Sequence, residues 1–197
     1  HGGFENGDRF VLQIVPPAAV PLRGAVLCLQ PFLDEATLAR RVIVEQARRL
    51  AEDGWVTWIP DLFGTGDSAG ETAQASLDAW TADLTRWVAE LRQSHPQGPL
   101  VLWGVRLGAA LATHLCARLA HAHHLMFWQA PANGAQLIDP LRKLGRLKAG
   151  TTGGGDGPAR DEPPPGTPGQ ASAPADGIEA LAGYRLPSLL IADLSTL

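Results

Sequence analysis

Five residues, Gly104-Val105-Arg106-Leu107-Gly108, carry the spacing with the most chemical content in this 197-residue chain. They lie between an apolar run, residues 100–103, and a helical pattern that begins near Arg106. Two glycines four apart in that context allow a sharp strand-to-helix turn whose middle residue projects above a sheet, the geometry that presents a nucleophile. Here the middle residue is Arg106. A guanidinium stays protonated at any physiological pH and cannot attack an acyl carbon. The turn is present and its nucleophile is absent. Two readings of Arg106 stay open. In the first, its guanidinium, the Leu107 amide and the positive end of the following helix converge on a carboxylate or phosphate. In the second, it pairs with a loop carboxylate such as Asp61 or Asp34.

Other chemistry-bearing groups are weaker candidates. Residues 61–70 are rich in glycine, but they lack the lysine of a phosphate-binding loop, and Asp61 and Asp67 would repel phosphate. A structural turn fits better, with Asp61 and Ser68 hydrogen-bonding the loop's own backbone. Neither Ser68 nor Ser76 sits on a strained turn that would activate it. His114, His121, His123 and His124 form the one cluster of ligand-capable side chains, without a carboxylate at a spacing such as HExxH. A solvated helix-to-strand connection is expected there, and no metal or other cofactor. The six tryptophans fall at strand or amphipathic-helix positions and are expected in the core. Trp128 is the exception kept as a binding candidate, because it ends a strand where pockets form in open parallel sheets.

The elements that position these groups follow from hydrophobic periodicity. Residues 25–30, 55–59, 100–103 and 125–128 are short apolar runs, the pattern of strands buried on both faces. Between them run helical patterns. Leu38, Val42, Ile43, Ala47, Leu50 and Ala51 form one expected face, and Leu77, Trp80, Leu84, Trp87, Val88 and Leu91 another, with Ser76 as N-cap. Alternating strands and helices predict an α/β domain, a mostly parallel sheet with helices on both sides. Residues 10–15 add an antiparallel edge strand, and Leu137, Ile138, Leu141, Leu144 and Leu147 one more helix. The domain reading is a core over residues 1–148, a Gly/Pro-rich insertion over 149–176 expected to be disordered, and a returning apolar segment over 177–197.

With these pieces in place, the chain resembles the α/β-hydrolase superfamily and, within it, the second of the two exosortase A system-associated hydrolases. The matching pieces are Gln30-Pro31-Phe32, the run from Gly54-Trp55 to Pro60, the loop from Pro60 to Gly70, and Asp78-Ala79-Trp80. Further matches are the turn around Arg106, Trp128-Gln129 with Gly134, and Ala182-Gly183-Tyr184. The resemblance implies a cytoplasmic, bacterial hydrolase-like protein of the PEP-CTERM sorting and exopolysaccharide system, acting on an ester or other acyl compound. Components of the exosortase system are then its expected partners. It also implies that arginine at the elbow is usual, and that Phe32 and Leu33 supply oxyanion-type amides. By the same resemblance, the end of 1–148 starts a cap and 177–197 is cap or remaining core. Gln30 departs from the histidine that the resemblance leads one to expect.

The superfamily's acid and histidine follow strands beyond the cap, and the chain, which begins at His1 and stops at Leu197, is expected to be a fragment ending before them. A rival reading takes residues 188–192 as the next core strand, with Asp193 as the catalytic acid at its end. No histidine follows on either reading. Enzymatic hydrolysis and non-catalytic binding of an anionic ligand at the elbow therefore both stand as functions.

Composition narrows the class. Hydrophobic residues make up 45%, which a globular core requires. Sixteen basic against twenty acidic residues make a poor polyanion binder, so nucleic acid is not expected as the partner. No apolar run is long enough for a membrane span. The two cysteines, Cys28 and Cys116, sit in apolar runs and read as core residues of a reducing compartment.

Overall fold

The computed structural model describes residues 4, 7–120, 124–151, 177–182 and 184–197. Strands β1 (Val11–Ile14), β2 (Gly24–Leu29), β3 (Trp55–Pro60), β4 (Leu100–Val105) and β5 (His124–Trp128) form one sheet in the order β1-β3-β2-β4-β5. β1 runs antiparallel to β3, and the remaining pairs are parallel. The crossovers are α1 (Asp34–Glu52), α2 (Leu77–Ser94) and α3 (Leu107–Cys116). Every residue of β2 is buried, as a strand covered on both faces requires.

The sheet separates two apolar layers. Val26, Cys28, Ile59 and Trp103 pack with Ile43 and Ala47 of α1 on one face. Leu27, Trp58 and Leu102 pack with Trp80 and Leu91 of α2 and Leu115 of α3 on the other. Burial pushes the Cys28 thiol far above its ordinary range, which leaves it a small apolar filler. In α2, Ser76 Oγ accepts the Ala79 amide at 3.1 Å, and all six residues of the expected stripe are buried.

The expected face of α1 needs correction. Ile43, Ala47 and Ala51 point inward at four-residue spacing, whereas Leu38 is 80% and Val42 58% exposed. At about 100° per residue, Leu38 and Val42 lie about 140° and about 100° round the helix from Ile43, outside one buried stripe.

Helix α4 (Ala135–Thr151) takes up the expected fourth helical pattern and buries Leu137 and Ile138. It runs three residues into the segment expected to be disordered, and the rest of that segment, 152–176, lies outside the described residues. Strands β6 (Ile178–Leu181) and β7 (Tyr184–Pro187) form a separate antiparallel hairpin. It is followed by α5 (Ser188–Thr196), which packs on α4, β7 and α2. Residues 188–192 are therefore helix, and the rival reading of a core strand ending at Asp193 is wrong. Leu190, Ile191 and Leu194 are buried while Leu189 is 78% exposed, a spacing of one and four that a strand, alternating by two, cannot bury on one side. Asp193 belongs to α5, and its charge acts on His114 of α3.

Candidate functional site

The turn between β4 and α3 is built as its glycines suggest. A Cβ at Gly104 would strike Ala109, and one at Gly108 would strike the carbonyl of Leu29 at the end of β2. Only glycine lets α3 start this close to the sheet. Between them Arg106 takes φ 56° and ψ −117° as the N-cap of α3. Such a backbone is costly for a side chain with a Cβ and is held by its surroundings. One restraint is visible: the Arg106 amide donates to the carbonyl of Trp128, at the end of β5, at 3.0 Å.

The Arg106 side chain donates through Nε and Nη2 to both carboxylate oxygens of Glu35, at 3.2 and 2.9 Å. The partner is neither Asp61 nor Asp34, as the spacing had suggested, but Glu35 in the first turn of α1. Asp34 instead accepts the Tyr184 hydroxyl at 2.6 Å, and that bond raises the phenol's pKa. The bidentate bond to Glu35 holds Arg106 protonated above its already high ordinary value, against the effect of burial. Both side chains stay about a third or more exposed, 33% and 40%, so solvent screens the pair.

Leu33 mirrors Arg106. It is the N-cap of α1 with φ 55° and ψ −132°, so the two strand-to-helix turns facing each other across Glu35 share one strained conformation. Phe32 beside it is buried edge-on against Trp80, with ring centres 5.2 Å apart. The structure thus gathers Phe32, Leu33, Arg106 and Leu107 at the carboxyl ends of neighbouring strands β2 and β4.

Asp61 is placed elsewhere, as a pin for the loop after β3. Its carboxylate accepts Gln30 Nε2 at 3.0 Å, Arg40 Nη1 at 3.1 Å and the Asp67 amide at 3.0 Å. Ser68 Oγ donates to the Asp61 carbonyl at 2.7 Å and accepts the Phe10 amide. These bonds are those of a structural turn, and they occupy Ser68. Beside this network lies a cavity of about 690 Å³, lined by Gln30, Phe32, Leu33, Arg40, Asp61 and Tyr184 among others. Arg106 and Leu107 do not line it.

Trp128 packs edge-on against Trp103, 4.7 Å away, and borders a shallow groove with Arg41, Val42 and Glu45 on the outer side of α1. Its carbonyl accepts the Arg106 amide of the elbow, and its ring packs in the same apolar cluster as Val105. Among the described residues no three His, Cys, Asp or Glu side chains converge as a metal site. His121 and His123 lie outside the described residues.

Desolvation, with Arg118 adding to it, lowers the pKa of His114 against the opposing charges of Asp78 and Asp193. The fold therefore favours the neutral imidazole. Its contribution to stability is present above the ordinary histidine value and is lost as pH falls through the lowered one. An NMR titration should place the His114 midpoint below the unfolded value, and Arg118→Gln should move it up.

Sequence reasoning missed Glu35 and Arg40. Both lie on α1, where charged residues read as a solvated face, and only their reach across the sheet's edge gives them a role.

The arrangement is that of an α/β hydrolase: a parallel sheet, a strained elbow after a central strand, and an opposing loop with its own strained turn. Residues 39–153 match the family described as serine aminopeptidase, S33, and the chain belongs to that family. Among solved structures, the chain is similar to Est1E from Butyrivibrio proteoclasticus with ferulic acid bound. That similarity has a TM-score of 0.59 and 17% identity, over 96% of this chain and 67% of that one. A thermostable carboxyl esterase from Bacillus coagulans matches at TM-score 0.54 and 19% identity, over 74% and 48%. A serine hydrolase without a lid, XC6422 from Xanthomonas campestris, matches at 0.51 and 23%, over 58% and 53%. The chain thus spans about half the length of these last two structures. No curated protein matches it. No helix among the described residues is long and apolar enough to cross a membrane.

Proposed function

We propose that this chain uses the elbow to hold an anionic ligand, a carboxylate or phosphate, without attacking it. One observation carries the reading: the residue in the elbow conformation is an arginine whose Nε and Nη2 already grip a carboxylate, that of Glu35. A ligand carboxylate would take the place of Glu35, whose side chain is 40% exposed. The Leu107 amide at the start of α3 and the amides of Phe32 and Leu33 would complete the anion's shell.

The second reading, hydrolysis of an ester or other acyl compound, is favoured by the family match. The resemblance to exosortase A system-associated hydrolases supports a place in the bacterial PEP-CTERM and exopolysaccharide system, in the cytoplasm and alongside exosortase components.

Intact-mass analysis after fluorophosphonate treatment separates the two readings. Binding without catalysis predicts no adduct on the folded protein, and a stoichiometric adduct on a serine overturns it. Calorimetric titration with benzoate and with inorganic phosphate then tests the elbow. Glu35→Gln should tighten binding by removing the competing carboxylate, and Arg106→Ser should weaken it about tenfold or more.

A further inference from the structure

The cavity beside the Asp61 network has a lopsided hydrogen-bonding character. Arg40 supplies its charged donors, with the Thr37 hydroxyl beside it. Nη1 is used on Gln30 Oε1 at 2.9 Å and on Asp61, while Nε and Nη2 have no partner among the described residues. That edge of a guanidinium is the one that accepts a carboxylate in bidentate fashion.

Nearly every other polar group of the lining offers acceptors. Gln30 Nε2 already donates to Asp61 and to the Pro60 carbonyl. Thr65 Oγ1 donates to the Leu62 carbonyl and Thr72 Oγ1 to that of Gly64, so each hydroxyl turns only lone pairs outward. Tyr184 gives its proton to Asp34. Asp67 and Glu71 line the same cavity as carboxylates. The floor is apolar, with Phe32, Leu62, Leu84 and Leu111. A volume of about 690 Å³ is that of a small-molecule site.

We propose that this cavity, which shares Phe32 and Leu33 with the elbow site but not Arg106 or Leu107, is a second ligand site, and that it takes a hydroxycarboxylate with a short apolar tail. The carboxylate seats on Nε and Nη2 of Arg40, whose charge Asp61 only partly offsets. The hydroxyl donates to the acceptors of the 61–72 loop, and the tail covers Phe32 and Leu111. A ligand that is all acceptor meets the repulsion of Asp67 and Glu71. One that is all donor leaves the Arg40 edge without a partner.

Calorimetry with 3-hydroxyhexanoate, hexanoate and hexane-1,3-diol tests each half. The hydroxy acid should bind about tenfold tighter than either comparison compound. Arg40→Lys keeps a charge opposite Asp61 but lacks the planar fork, so it should lose about tenfold in affinity for the hydroxy acid. In the Arg106→Ser background, which removes carboxylate binding at the elbow, the hydroxy acid should keep its tenfold advantage over hexanoate, which distinguishes the site from the elbow. The surface pair Asp67→Asn with Glu71→Gln should narrow the gap between hydroxy acid and hexanoate, and it decides the matter even where Arg40→Lys does not fold. No saturable binding, equal binding of hexanoate, or preference for the diol overturns the proposal.

Discussion

Asp83→Ala lowers the unfolding free energy by about 3–5 kcal/mol, measured by denaturant titration followed through tryptophan fluorescence. Asp83 is a charged residue on the buried face of α2, and its Oδ2 accepts Arg9 Nε at 2.6 Å. Their side chains are 8% and 2% exposed, so water screens the pair little. The guanidinium also lies over the Phe4 and Phe63 rings, 5.3 and 4.6 Å from their centres, and donates to the Gly7 carbonyl. Removing Asp83 takes this carboxylate from a cation buried in an apolar setting, and this accounts for most of the loss. The intact pair contributes far less than its removal costs, because both charges were stripped of water to form it. The double replacement Arg9→Met with Asp83→Leu should therefore recover much of the stability that the single change loses. If the double variant is as unstable as the single one, the pair is a net source of stability.

Gly108→Ala should cost about 3 kcal/mol by the same measurement, a large effect for one methyl group. The added Cβ meets the Leu29 carbonyl, which is backbone in a central strand and has nowhere to move. Relief requires α3 to back away from β2, which loosens Leu107, Leu111 and Leu115 in the core. The elbow conformation of Arg106 depends on the same close approach, so the ion pair to Glu35 should weaken as well. Gly177→Ala is the control. Its Cβ would meet nothing within 4 Å, although φ is +90°. It should cost about 1 kcal/mol from backbone conformation alone. Equal losses at both positions would mean that collision with Leu29 is not the source.

The elbow was legible in the sequence because a strand-to-helix turn against a sheet needs glycines at fixed offsets, and Gly104 and Gly108 stand there. The loop after β3 was legible for a related reason. Asp61 and Ser68 are short polar side chains among glycines, and such side chains hydrogen-bond nearby backbone. The stripe of α1 was only half legible. Leu38 and Val42 are apolar, but position round the helix rather than hydrophobicity determines what is buried. Residues 188–192 misled for another reason. Four apolar residues in a row, Leu189 to Ala192, suit a strand or one helical turn equally, and the choice fell to α4, which offers a helix a surface to pack on.

What the sequence by itself determined is local and periodic. It set the alternation of apolar runs and helical stripes, hence a parallel sheet, and the identity of the residue at the elbow, hence the absence of a nucleophile there. Only the tertiary structure decided which groups meet. Arg106 and Glu35 are 71 positions apart and Arg40 and Asp61 are 21 apart. Each pair is joined because parallel strands deliver their following loops to one edge of the sheet. A charged side chain bonds whichever carboxylate the crossovers bring within reach. Spacing along the chain holds no record of that choice, which is why Asp34 and Asp61 looked as suitable for Arg106 as Glu35 proved to be.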